Sequence, residues 1–252
     1  MYKIQPNTLF FGKVINFLPS CHSTNDIAAE LIQNADVFEG TIIITDHQTA
    51  GRGQRGNTWQ TQAGENLTFS LILKPKFLKA NQQFWLNIAV SLGVQECLTE
   101  LLGGGVKIKW SNDLYYNNQK IGGMLLENSL QGYQIGYSVI GIGLNVNQSE
   151  FPMPTATSLR QITNQWYDLE TVLEKLIICL EKNYLALQNG QYETLKTRYL
   201  STLFRYEETH YFEQNGHRFL GKITGISETG QLALEIEEET QYFDFKEITF
   251  VI

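Results

Sequence analysis

Apolar residues recur along this chain in two periods, and the places where the period changes divide it into elements. Residues 14 to 21, VINFLPSC, suit a short strand. In the segment after them, STNDIAAELIQN, the spacing of Ile27, Ala28, Leu31 and Ile32 predicts one face of a helix, with Ser23 or Thr24 as its cap. TIIIT (41 to 45) and NLTFSLIL (66 to 73) are runs of strand length, the second ended by Pro75. Between residues 81 and 102 the helical period returns, with Trp85, Ile88, Leu92 and Leu98 near one stripe and three glycines at 103 to 105 as the stop. From VKIKW to GIGLNVN (106 to 147) the alternation is that of consecutive strands with turns at Asn117-Asn118 and Gln131-Gly132.

Beyond residue 147, FPMPTATS reads as a loop and Asp168 opens a helix to about Gln188, which buries Leu173, Leu176, Leu180 and Leu187. A shorter helix covers 191 to 200. From Thr209 strands return as HYF, HRFLGKITGI, QLALEIE, QYFDF and ITFVI, with turns at Asn215-Gly216 and Thr229-Gly230, while the run Glu237 to Glu239 reads as a solvated turn. The pattern predicts an α+β domain over 1–204 and a small β-barrel over 205–252.

Composition narrows the function classes. A chain of 252 residues can bury a substantial core, and no apolar run approaches the ~20 residues of a membrane span. The start, MYKIQPNTLF, has no basic segment leading into an apolar run, so no secretory signal is expected and the cytoplasm is the expected location. Cys21, Cys97 and Cys179 are an odd number at wide spacings, against both a disulfide framework and a Cys-x-x-Cys metal site. The net charge of −7 is concentrated in residues 205–252, which carry four basic and ten acidic residues. The remainder is close to neutral, so no broad nucleic-acid footprint exists and no DNA partner is expected.

Candidate chemistry gathers in three places. QTAGRGQRGNTW (48 to 59) holds three glycines, Arg52 and Arg55, and no aliphatic side chain larger than Ala50, which suits a loop whose backbone and guanidinium forks meet an anion. Without an aliphatic anchor, the same composition predicts a loop that is mobile until a ligand arrives. Asn112 and Asp113 follow the strand VKIKW, and Lys120 stands just past the NNQ turn, so all three can face one cleft. There Asp113 suits a divalent cation or a proton, and Lys120 a carboxylate together with a phosphate. In GIGLNVN, Gly141 and Gly143 alternate and open one face of a strand, and Asn145 can meet a base or a ribose. Each feature alone is equally an ordinary turn or bend. Neither G-x-x-x-x-G-K-[ST] nor G-x-G-x-x-G is present, so a nucleotide site here is of another kind.

Taken together, STN (23 to 25), QTAGRGQRGNTW, KWSND (109 to 113), KIGGMLLE (120 to 127) and GIGLNVN resemble, in order, the motif set of the biotin protein ligases. Each motif is weak, and five in sequence are specific. The resemblance implies a catalytic domain related to the class II aminoacyl-tRNA synthetase fold, a mixed sheet with helices, followed by an SH3-like barrel. It implies ATP and Mg2+ used to make biotinyl-5′-AMP, then transfer of biotin to a lysine of a biotin carboxyl carrier domain. Ser23, Thr24, Asn25 and Gln48 match the segment that holds biotin's ureido ring, and Arg52, Gly53 and Gln54 the loop that closes over the ligand. Trp59 matches the tryptophan near adenine, Asn112 and Asp113 the nucleotide and metal region, and Lys120 the catalytic lysine. Gly123 and Gly143 match ligand-lining glycines, and Asn145 a residue near adenine.

Two departures stand out: Gln54 replaces an arginine found in many relatives, and Ser111 replaces the usual proline, which is expected to loosen that turn. The ligase motifs begin at Ser23, so no preceding winged helix is expected; a monomer or weak homodimer is. The rival readings are a lipoate or octanoate ligase or transferase of the same superfamily, and a biotin or nucleotide sensor without turnover.

Overall fold

In the computed structural model, which describes residues 2–251 without the side chain of Arg55, two sheets organise the chain. The first contains β1 (Ile15–Leu18), β2 (Thr41–Thr45), β3 (Leu67–Leu73), β4 (Val106–Lys109), β5 (Asp113–Tyr116), β6 (Gln119–Gln131) and β7 (Gln134–Leu144). Their order is β1-β2-β3-β7-β6-β5-β4. β1 and β2 are parallel, which requires a crossover, and α1 (Thr24–Asn34) supplies it. The other pairs are antiparallel. Register pairs Gln131 with Gln134, so the β6–β7 turn centres on Gly132-Tyr133, one residue later than the sequence pattern placed it.

Alternation along the strands sorts side chains between two faces. On one, Phe69, Leu71, Leu73, Ile140, Ile142 and Leu144 join the large core beneath α2 (Gln83–Leu102). The short helix α3 (Leu159–Thr163) falls inside the stretch that reads as irregular; five residues are too few for a helical period to register, and the Ser158 hydroxyl caps it by accepting from the Gln161 N–H. α4 (Leu169–Gln188) completes that layer against α2, and α5 (Tyr192–Thr202) follows. The other face is covered only in part: Ile43, Ile72 and Val139 pack under Ala28 of α1 in a small separate cluster. What α1 leaves uncovered is the candidate site.

The second sheet contains β8 (Thr209–Gln214), β9 (His217–Ile226), β10 (Leu232–Ile236), β11 (Glu239–Phe243) and β12 (Thr249–Phe250), all antiparallel in the order β11-β10-β9-β8-β12. It is compatible with an SH3-like barrel, and the whole is the α+β architecture expected. Contact with the first sheet is intimate. The Phe204 N–H donates to the Ile108 carbonyl (2.8 Å), the Trp110 indole N–H donates to the Gly230 carbonyl (3.0 Å), and Leu203, Phe212, Ile223 and Phe250 belong to the same apolar cluster as α2 and α4. Among the described residues, no helix is long and apolar enough to cross a membrane.

Candidate active site

Register builds the floor of the cleft. Thr68, Gly143, Gly123 and Asp113 are successive cross-strand partners over β3, β7, β6 and β5, and Ser70, Gly141 and Leu125 form the next row. Glycine is required at two of these places because a neighbour lies where a Cβ would be: the Trp59 indole over Gly143, and the Asn25 amide oxygen over Gly141. The floor is thus backbone, open to a flat polar group.

One wall is the first turn of α1. Ser23 caps it, its hydroxyl accepting from the Asp26 N–H (3.4 Å). The Thr24 N–H donates to Gln48 Oε1 (2.7 Å), and the Ser70 hydroxyl donates to Asn25 Oδ1 (2.6 Å) beside the Thr24 hydroxyl. All three residues of STN are buried, and each has a partner that orients it.

The opposite wall carries the charges. Lys120 Nζ lies 2.7 Å from Asp113 Oδ1 and 5.8 Å from the centroid of the Trp59 ring. The Asn112 amide donates to the Met124 carbonyl, while the Met124 N–H returns a bond to the Asn112 carbonyl (3.1 Å), so this corner is fixed from both strands. Behind it, burial pushes the Lys109 ammonium down from its ordinary value, with Asp113 opposing the shift, and burial pushes the Tyr115 phenol up to about 12. The Ser111 carbonyl accepts from the Asn87 amide and the Tyr199 hydroxyl, both at 3.2 Å, which ties this turn to α2 and α5.

Over the cleft runs the glycine-arginine loop. Arg52 Nη1 and Nη2 each lie 2.9 Å from an oxygen of Glu127, and Nη2 lies 2.6 Å from Asp26 Oδ1. Hydrogen bonding to Glu127 pushes the Arg52 guanidinium still further up, with the charges of Glu127 and Asp26 adding to the shift and burial opposing it. The sequence alone shows no anchor for this loop; the fold supplies one, because both carboxylates come from distant elements. The Arg55 side chain lies outside the described residues.

Every residue that the resemblance assigned to ligand or metal lines this one cleft, except Asn145. That side chain is buried, and its amide donates to the Thr157 carbonyl (2.9 Å), holding the 145–157 connection. Several lining residues escaped the sequence reading, among them Thr68, Trp110 and Phe245. The alternation of Thr68 and Ser70 inside an apolar strand was a legible signal for that row; nothing local marked Phe245, which reaches the cleft from the turn between β11 and β12. Two buried polar atoms at the cleft, Gln54 Oε1 and Trp59 Nε1, have no hydrogen-bond partner among the described residues. A polar ligand would satisfy them.

Comparison with known proteins bears on this geometry. Residues 17–145 match the biotin/lipoate A/B protein ligase family. The bifunctional ligase/repressor BirA of Bacillus subtilis is 34% identical over 222 residues, 86% of this chain and 67% of that protein. The biotin–[acetyl-CoA-carboxylase] ligase of Mycobacterium tuberculosis is 27% identical over 223 residues, covering 86% of this chain and 82% of that one. Among solved structures, the biotin protein ligase of Aquifex aeolicus in complex with biotin and ATP superposes with a TM-score of 0.79 at 29% identity, over 94% of this chain and 98% of that one.

Proposed function

Because this chain belongs to the biotin/lipoate A/B protein ligase family and is a ligase of its biotin protein ligase branch, we propose that it joins biotin to ATP as biotinyl-5′-AMP and passes the biotin to a lysine of a biotin carboxyl carrier domain. The observation that carries this reading is the single cleft in which a glycine floor, the oriented STN turn, Arg52 and the Lys120–Asp113 pair meet. Biotin's ureido group suits the polar first turn of α1, where hydroxyls and amides are already oriented. Its carboxylate would then lie toward Lys120 and Arg52.

In the first step a carboxylate oxygen bonds to the α-phosphorus as the bond to pyrophosphate breaks. Negative charge gathers at one point, and Arg52 and Lys120 neutralise it; removing such a cation costs about 3 kcal/mol or more of the barrier. In the second step an acceptor amine attacks the mixed anhydride, AMP leaves, and Asp113 is the carboxylate at hand to take the amine's proton. Asp113 is an oxygen donor that lines the cleft, which fits a hard divalent cation completed by phosphate oxygens and water. When bound, Mg2+ would supply charge neutralisation on the leaving pyrophosphate. The sequence divides for these tasks into a catalytic part, 1–204, and a C-terminal part, 205–252.

The test is pyrophosphate release with ATP and Mg2+ in the presence of biotin, lipoate or octanoate. Release with biotin alone, abolished in a folded Lys120→Ala variant, is expected. Release that prefers lipoate or octanoate would assign the chain to the other branch of chemistry, and near-normal release by Lys120→Ala would remove the lysine from the mechanism.

A further inference from the structure

Glu127 does not line the cleft, yet it touches both the loop above it and the buried Asn25 at the first turn of α1. Its two oxygens receive the fork of Arg52, each at 2.9 Å, and Oε2 also accepts from the Asn25 amide at 2.7 Å. Asn25 in turn is held by the Ser70 hydroxyl on β3 (2.6 Å). One carboxylate on β6 therefore links the loop that covers the cleft to the residue that lies on its floor. Register puts Glu127 on the same face of the sheet as Gly123, Leu125 and Gly141, two residues beyond the second row of the floor, where β6 emerges from beneath the loop.

We infer that Glu127 is a positioning residue for adenylate formation: it fixes the Arg52 guanidinium at the mouth of the cleft before any ligand binds. The inference rests on the reading of Arg52 as the group that meets biotin's carboxylate and the α-phosphate. A bidentate carboxylate sets both the place and the plane of a guanidinium, which a single contact does not. The fork uses one hydrogen each of Nη1 and Nη2 on Glu127, and Asp26 takes the second on Nη2. The second hydrogen of Nη1 and the Nε–H lie on opposite edges of the guanidinium, so either can make a single contact to an anionic ligand while the fork stays on Glu127. Asp26 has a weaker hold, through one oxygen, and its other oxygen lies 3.7 Å from His22 Nε2. Glu127 is thus the anchor and Asp26 the lesser partner. Arg52 is ordered in advance, so ligand binding need not supply the whole cost of ordering its side chain and loop.

Trypsin tests this directly, because a guanidinium gripped by Glu127 cannot enter the protease's specificity pocket. Cleavage at the Arg52–Gly53 bond is followed by mass spectrometry without biotin or ATP. Glu127→Gln preserves shape and the bond from Asn25 but removes the charge; cleavage is expected to accelerate about tenfold, with an unchanged thermal unfolding midpoint. Asp26→Asn should accelerate it about threefold or less, because the amide oxygen left there can still accept the single Nη2 bond and only the charge is lost. This arm contains no substrate, so it reports on Glu127 even if the proposed reaction fails. In turnover, Glu127→Gln should raise the KM for biotin about tenfold and also lower kcat, because the displaced Arg52 meets both biotin's carboxylate and the charge that gathers in the first step. Equal cleavage of variant and wild type overturns the inference, as does an unchanged KM in a variant that is cut faster. If the variant does not fold, the wild type is digested at low and high KCl: screening should speed cleavage at this bond, and salt-independent cleavage overturns the inference.

Discussion

A methyl group at position 143 would occupy the space of the Trp59 indole, and that single overlap shows how closely the cleft is fitted. Gly143→Ala must lift Trp59 off the floor, because the glycine lies in a central strand whose backbone is held by β3 and β6. Overpacking of this kind costs about 1–3 kcal/mol where the neighbour cannot yield, and here the neighbour belongs to a surface loop that can. The expected outcome is therefore a small loss of stability and a larger loss of ligand affinity, about tenfold or more. Calorimetric titration with biotin, then with ATP, measures it; unchanged affinities would mean that the seat of Trp59 is not part of the site. The alternation of Gly141 and Gly143 was legible as an open strand face. What lies in each gap was not, since Asn25 and Trp59 arrive from elements far away in the chain.

At the scale of elements, the sheet holds its shape because α2, α4 and α5 form one packed layer beneath it. Gly93 lets α2 approach α4 so closely that a Cβ there would stand 2.8 Å from the Leu180 Cα. Beside this contact Glu96 receives Lys182, the Asn183 amide (3.0 Å) and Arg198 Nη2 (3.0 Å), tying all three helices. Burial works against the Glu96 charge, yet the hydrogen bonds from Lys182 and Asn183 and the nearby cations outweigh it and hold its carboxyl below the usual value. A carboxyl depressed in the folded state stabilises the protein above its unfolded pKa, and that contribution disappears as pH falls through the lower folded pKa. Glu96→Gln should therefore lower stability by about 1–2 kcal/mol at neutral pH, and the gap between variant and wild type should close below about pH 4. Urea unfolding of both proteins across this range is the measurement; a gap that persists in acid would show that packing, and not the charge, carries the effect. The helices were legible from their apolar stripes. Glu96 was not, because a single acidic residue on a helix looks the same whether it meets water or three partners.

For the whole molecule, the second sheet is part of the working structure. It supplies Phe245, on its β11–β12 turn, to the cleft and the Gly230 carbonyl to the Trp110 indole, and its apolar residues continue the core. A chain ending at Thr202 would uncover Trp110 and lose Phe204, which rests on Tyr115 at a centroid distance of 5.4 Å. Such a truncation is expected to bind a hydrophobic dye, to retain the STN turn, and to release pyrophosphate at least tenfold more slowly than the full chain. Undiminished release by a monodisperse truncation would show that the second sheet contributes nothing to the chemistry.

Local order in the chain was enough to mark the strands and the long helices, though not the five-residue α3 or the exact β6–β7 turn, and to show which glycines interrupt them and which five motifs stand in series. These follow from period and turn chemistry, and both act between neighbours. Tertiary pairing alone decided that Thr68, Gly143, Gly123 and Asp113 form one row and that Glu127 grips Arg52. It also decided that Asn145 turns to the Thr157 carbonyl and away from the cleft. Strand register and loop closure join segments remote in the chain, and a contact between remote segments leaves no period in either of them.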